Sequence, residues 1–305
     1  MEKFIRKIIR ESLLDEDYES IQEMRTLTSD ALEYIAKKNI DDVTKWANGE
    51  LRGFFISVSL KEIYEENKGK YTKLVGWLEN SEKTRIYIEN NTHVNPDDKV
   101  QGTYSHLVDK SYNPKFEREI ELYYDDNFLK DLKSRILDYT KSYNKPFSAR
   151  ELYLAFHFPF NSPLLHELQH NYDDFRSDSK MYSTKQFRSF IELSQRKKAA
   201  SKHEFLNSHG AKYLNLPHEI WARFSQTIDK IMFASSDFVQ DERGRDYLKS
   251  EMKPLQKIVR EFKWKFVGFH ILPDDMKKRL IRKISQFWHI EQDKINKENA
   301  NPEYF

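Results

Sequence analysis

Residues 164–176 read LLHELQHNYDDFR, two histidines four apart with a glutamate directly after the first. On a helix turning about 100° per residue, His170 lies roughly 40° round from His166 and one turn along, so both imidazoles project to one side. One metal ion can then reach both. Glu167 sits roughly 100° from His166, where it can hold and deprotonate a metal-bound water without being a ligand itself. The alternative is a solvent-facing histidine pair, but Leu164, Leu165 and Leu168 give the helix apolar faces for packing on a core.

A hydrolytic zinc takes three protein ligands and leaves the remaining position to water, so a third donor must come from elsewhere in the chain. There is no cysteine, which leaves His, Asp and Glu as the strong ligands. The best candidate lies in YLNLPHEIWARF, residues 213–224. Pro217 marks a helix start there, and Glu219 falls in the first turn. His218 is the adjacent competitor, since a neutral imidazole ligates zinc equally well. Metal-bound histidines usually hand their other ring nitrogen to a carboxylate or carbonyl. Asp173 and Asp174, one turn beyond His170, fall on the ligand side by helical arithmetic and are candidates for that role, with surface carboxylates as the alternative.

These residues need elements to hold them. Ser162 is placed to cap a helix with Pro163 in its first turn, so the motif is expected on a helix that begins there. Upstream, three segments alternate as strands: FFISVSL (54–60), RIYIEN (85–90) and REIELYY (118–124). They would form a sheet with one wet face. Between the last two, NNTHVNPDDKVQG has the composition of a surface loop. DDNFLKDLKSRILDYTKSY (125–143) follows as a helix with Asp at its start. Earlier, Ser29 and Asp30 suit the cap of a helix running to Lys38, and Phe4, Ile5, Ile8, Ile9 and Leu13 form an amphipathic helix over 3–14. Downstream of the motif, helices are expected at 184–200, 217–233, 245–262 and 274–295, punctuated by Pro217, Pro254 and Pro273. His157, within the aromatic run YLAFHFPF, reads as a core histidine.

HELQH followed downstream by EIWAR resembles the zincin metallopeptidases whose third ligand is a glutamate, the gluzincins, and in particular is similar to HExxH proteins encoded by tailed bacteriophages. The likeness spans about 160–225. It implies that His166, His170 and Glu219 bind Zn2+, that Glu167 is the general base, and that a peptide or protein is the substrate. The metzincin pattern is not met, because Arg176 stands where its third histidine would fall. No motif marks the oxyanion donor; Tyr213, His209 and Arg223 are the candidates. Arg223, four residues after Glu219, could instead orient that carboxylate.

The implied fold is α+β and zincin-like: a small, mainly antiparallel sheet, then the metal-binding helix and a largely helical C-terminal half. The expected division is a helical segment over 1–48, a metallopeptidase domain over 49–295 and a polar tail over 296–305. Lysine and arginine number 51 against 49 acids, and the signs are interspersed, so no global field draws the chain to nucleic acid. Arg196-Lys197-Lys198 and Lys277-Lys278-Arg279 read as solvated faces. The first residues lack the apolar run of a secretory signal or a membrane span, so export is not expected; the resemblance to phage proteins implies the bacterial cytoplasm or a phage virion as the location. The rival to an enzyme is a virion structural or interaction protein that keeps the zincin fold around a non-catalytic metal and binds other virion proteins.

Overall fold

The computed structural model describes residues 18–90, 100–106, 118–176, 217–233 and 253–300. The expected helices at 3–14 and 184–200, the cluster at 196–198, and Tyr213 and His209 lie outside them. The chain divides into two compact units, Glu19–Ser179 and a second built from Met1–Tyr18 and Lys180–Phe305. Both helices and strands are present, with helix predominating.

The Glu19–Ser179 unit holds a four-stranded sheet: β1 (Ile56–Ser59), β2 (Thr84–Asn90), β3 (Val100–His106) and β4 (Arg118–Tyr124), in the order β1-β2-β4-β3. β1 pairs antiparallel with β2, and β3 antiparallel with β4, but the central pairing of β2 with β4 is parallel. The sheet is thus mainly antiparallel with a parallel middle. β3 corrects the expectation of a plain loop over 90–102. Its residues do not show the apolar alternation of a strand, and its place comes from the ladder it completes, with Gly102 opposite Leu122.

Alternation on β2 and β4 sends Ile86, Ile88, Ile120 and Leu122 into the core and leaves Arg85, Tyr87, Glu89, Glu119, Glu121 and Tyr123 half-buried on the other face. The core is shared with α1 (Tyr18–Ala47), through Leu27, Ala31, Leu32 and Ile35. Ser29 and Asp30 therefore sit inside a long helix rather than at its start. Asp30 is tied instead to a neighbouring loop, accepting from the Tyr71 hydroxyl at 2.6 Å and from Lys70 at 3.0 Å. Leu60–Glu66 (α2) and Val75–Glu79 (α3) are short helices between β1 and β2. Ser59 caps the first, which cuts the expected strand at 54–60 short, by accepting from the Lys61 amide. Glu23 of α1 reaches the start of α3 and accepts from the Thr72, Lys73 and Leu74 amides at 2.8 to 3.0 Å. Burial pushes its carboxyl up, but these bonds outweigh that and hold it below the ordinary glutamate range.

α4 (Asp126–Tyr143) is capped by Asp125, whose side chain accepts from the Phe128 amide at 2.8 Å, and ends at Asn144 in the left-handed conformation. α5 (Ala149–Arg176) carries the histidine motif. It begins well before Ser162, at a capping box in which the Ser148 amide donates to Glu151 and the Glu151 amide to Ser148. Pro159 and Pro163 lie inside it. An interior proline costs on the order of 3 kcal/mol through its lost hydrogen bond and ring clash. Burial of Phe156, Phe160, Leu164, Leu165 and Leu168, each worth roughly 1.5 to 3 kcal/mol, exceeds that.

In the second unit, α6 (Pro217–Ile228) continues as a π-helical turn, Asp229–Phe233, followed by α7 (Leu255–Lys265), a 3-10 turn (Phe269–Ile271) and α8 (Asp274–Ala300). The described start of α7 follows Pro254, later than the expected 245, and α8 runs beyond the expected 295. Phe224, Phe262 and Phe287 meet in its core, with ring centroids 5.7 Å and 5.9 Å from Phe224. No helix among the described residues is long and apolar enough to cross a membrane.

Candidate metal centre

The helical spacing of His166 and His170 does what one turn of α5 requires. Their Nε2 atoms stand 3.0 Å apart, with ring centroids 4.6 Å apart and planes at 89°. Two nitrogens bound to one tetrahedral zinc at about 2.0 to 2.1 Å are about 3.3 Å apart, so the pair is already set for a shared ion. His170 is buried and His166 half-buried. Of the three expected ligands, His166 and His170 lie in the Glu19–Ser179 unit and Glu219 in the other. Two imidazoles and one carboxylate are a donor set that zinc takes in hydrolytic sites.

Glu167, the proposed base, is 6% exposed. Its side chain lies along β3 at Gly102, where a Cβ built on the glycine would come within 2.9 Å of Glu167 Cγ and 3.1 Å of Oε1. The edge strand is therefore one wall of the base's surroundings.

Three further contacts fix α5 around the motif. The Trp77 indole N–H donates to Asn171 Oδ1 at 2.7 Å, both residues being buried, and the Trp77 ring packs on Tyr172 with centroids 5.3 Å apart. Arg118, the first residue of β4, donates through Nε to Asp174 at 3.2 Å. Asp174 is wholly buried, so it is not a surface carboxylate; it links the helix to the sheet. Asp173, half-buried, accepts from the Gln169 amide at 3.1 Å. His157 is half-buried with its ring 5.4 Å from that of Tyr153, away from the pair by two turns of helix.

Glu219 is 3% exposed, in the first turn of α6. Arg223 Nε donates to the Glu219 backbone carbonyl at 2.9 Å, and Nη1 donates to the Val267 carbonyl. Its guanidinium lies over the Phe266 ring at 5.2 Å. Arg223 thus steadies Glu219 through the main chain. The His218 side chain lies outside the described residues. Sequence reasoning missed Gly102, Trp77, Asn171 and Arg118. A glycine within a strand is a usable signal of close approach, but the strand itself had not been recognised. No local pattern announces the Trp77–Asn171 bond.

No family model, no curated protein and no solved structure matches this chain.

Proposed function

We propose that this chain is a zinc-dependent hydrolase of peptide bonds, a metallopeptidase of gluzincin type with a zincin-like fold. His166, His170 and Glu219 would hold the metal, and Glu167 would be the general base. The observation that carries the reading is the pair of imidazole Nε2 atoms 3.0 Å apart on one helix, in a motif whose glutamate follows the first histidine. Zinc bound there would supply a Lewis acid that polarises the scissile carbonyl and acidifies the attacking water.

Glu167 takes a proton from that water and passes it to the leaving amine nitrogen, the work of a base and then an acid. Its burial beside Gly102 restricts its rotamers, so the carboxylate is held in place before substrate arrives. The substrate side is supported by β3, which lies at an edge of the sheet among the described residues. An extended peptide adding to that edge would pair by main-chain hydrogen bonds and pass beside α5.

The test is metal content together with hydrolysis of casein. Protein prepared with zinc should carry about one ion per chain. Glu167→Gln should keep the zinc and lose hydrolysis, and Glu219→Ala should lose the zinc. Wild-type protein that takes up no zinc, or a Glu219→Ala variant that binds it as tightly as wild type, would overturn the proposal.

A further inference from the structure

Gly102 sits inside β3, opposite Leu122 of β4. A strand-interior glycine is unfavourable against alanine through chain entropy alone, so its presence asks for a cause. Backbone conformation is not that cause. The glycines with left-handed φ among the described residues are Gly49, Gly69 and Gly268. The cause on offer is steric: the missing Cβ would stand 2.9 Å from Glu167 Cγ, 3.1 Å from Glu167 Oε1 and 3.2 Å from Leu122 Cδ2. Two of these three contacts are to one side chain, and the shortest is closer than carbon atoms pack.

We propose that Gly102 is a positioning residue for Glu167: the bare backbone of the edge strand admits the carboxylate beside His166, and any side chain at 102 drives it out of place. The role rests on the reading of Glu167 as the base. The steric coupling itself does not, and it can be measured without turnover.

Gly102→Ala, Glu167→Ala and the double variant are made in the full chain, and thermal unfolding of the metal-free proteins is compared. Gly102→Ala should lower the midpoint in the wild-type background and cost little or nothing beside Glu167→Ala, because the atoms that the new methyl meets are gone. Should Gly102→Ala alone fail to fold, recovery of folded protein in the double variant is the same result. An equal loss in both backgrounds, or relief by Leu122→Val instead of Glu167→Ala, would overturn the proposal.

With zinc restored and casein as the probe, Gly102→Ala should retain about one zinc per chain. It should lose at least tenfold in kcat with KM within about twofold, because displacement of a base by around 1 Å can cost on the order of a hundredfold. An unchanged kcat would likewise overturn it. If wild-type protein neither binds zinc nor cleaves casein, the hydrolase reading fails by itself, and the unfolding comparison still decides whether Gly102 places Glu167.

Discussion

Replacing Trp77 with phenylalanine tests how firmly α5 is held next to His170. The indole donates to Asn171 at 2.7 Å, with Trp77 2% and Asn171 0% exposed, so water does not stand in readily for the lost donor. Leaving a buried amide oxygen unmet costs about 1 to 3 kcal/mol. The smaller ring leaves a void beside Tyr172 and adds about 1 kcal/mol. The total, about 2 to 4 kcal/mol, corresponds to roughly 5 to 12 °C in Tm for a unit of this size. Circular dichroism melts of metal-free protein read it directly. A second variant, Trp77→Phe with Asn171→Leu, should recover part of the loss, because the stranded oxygen is gone; a contact without energetic weight predicts simple addition of the two single effects. A Tm shift under about 1 °C for Trp77→Phe, or strict additivity in the pair, would refute the reasoning. If zinc binds as proposed, the same variant should hold it less tightly, since Asn171 adjoins His170.

Two further outcomes follow from the charges. Glu23, held below the ordinary glutamate value despite its burial, contributes stability that is present above that value, about 4.3, and is lost as pH falls through its folded pKa. Glu23→Gln should therefore lower the urea midpoint at pH 7 and cost progressively less as the buffer is taken towards pH 3; a penalty independent of pH would contradict this. Glu89 is raised by burial and then by repulsion from Glu121, so its contribution has the opposite sign: stability is greatest below the ordinary value and declines as pH rises through the folded pKa. Glu89→Gln should raise Tm at pH 7 and lose that advantage in acid, which melts at pH 7 and pH 3.5 would check.

Much of the positioning machinery was legible from periodicity. Strands over 85–90 and 118–124 lie within or match Thr84–Asn90 and Arg118–Tyr124, and the helix opened by Asp125 runs through the expected 143. Each has one face that must leave water, and a period of two or of 3.6 records which face that is. The four-residue histidine spacing likewise sets the Nε2 atoms 3.0 Å apart through local helix geometry alone. The start of α5 is also written in the capping box Ser148 and Glu151, which the reading of Ser162 as the cap passed over. An isolated helix would break at Pro159 or Pro163. Burial of Phe156, Phe160 and Leu164 carries this one through, and burial is a tertiary quantity.

From its residues alone the chain determined an α+β content, the faces of its regular elements and a histidine pair able to share an ion. The tertiary structure alone decided that β2 and β4 run parallel, that a polar stretch becomes the edge strand β3, and that Gly102 of that strand lies against Glu167. The division has a physical cause. A residue's own chemistry and its near neighbours specify which surface must be covered, whereas the partner that covers it comes from distant chain and is selected by ladder completion and packing.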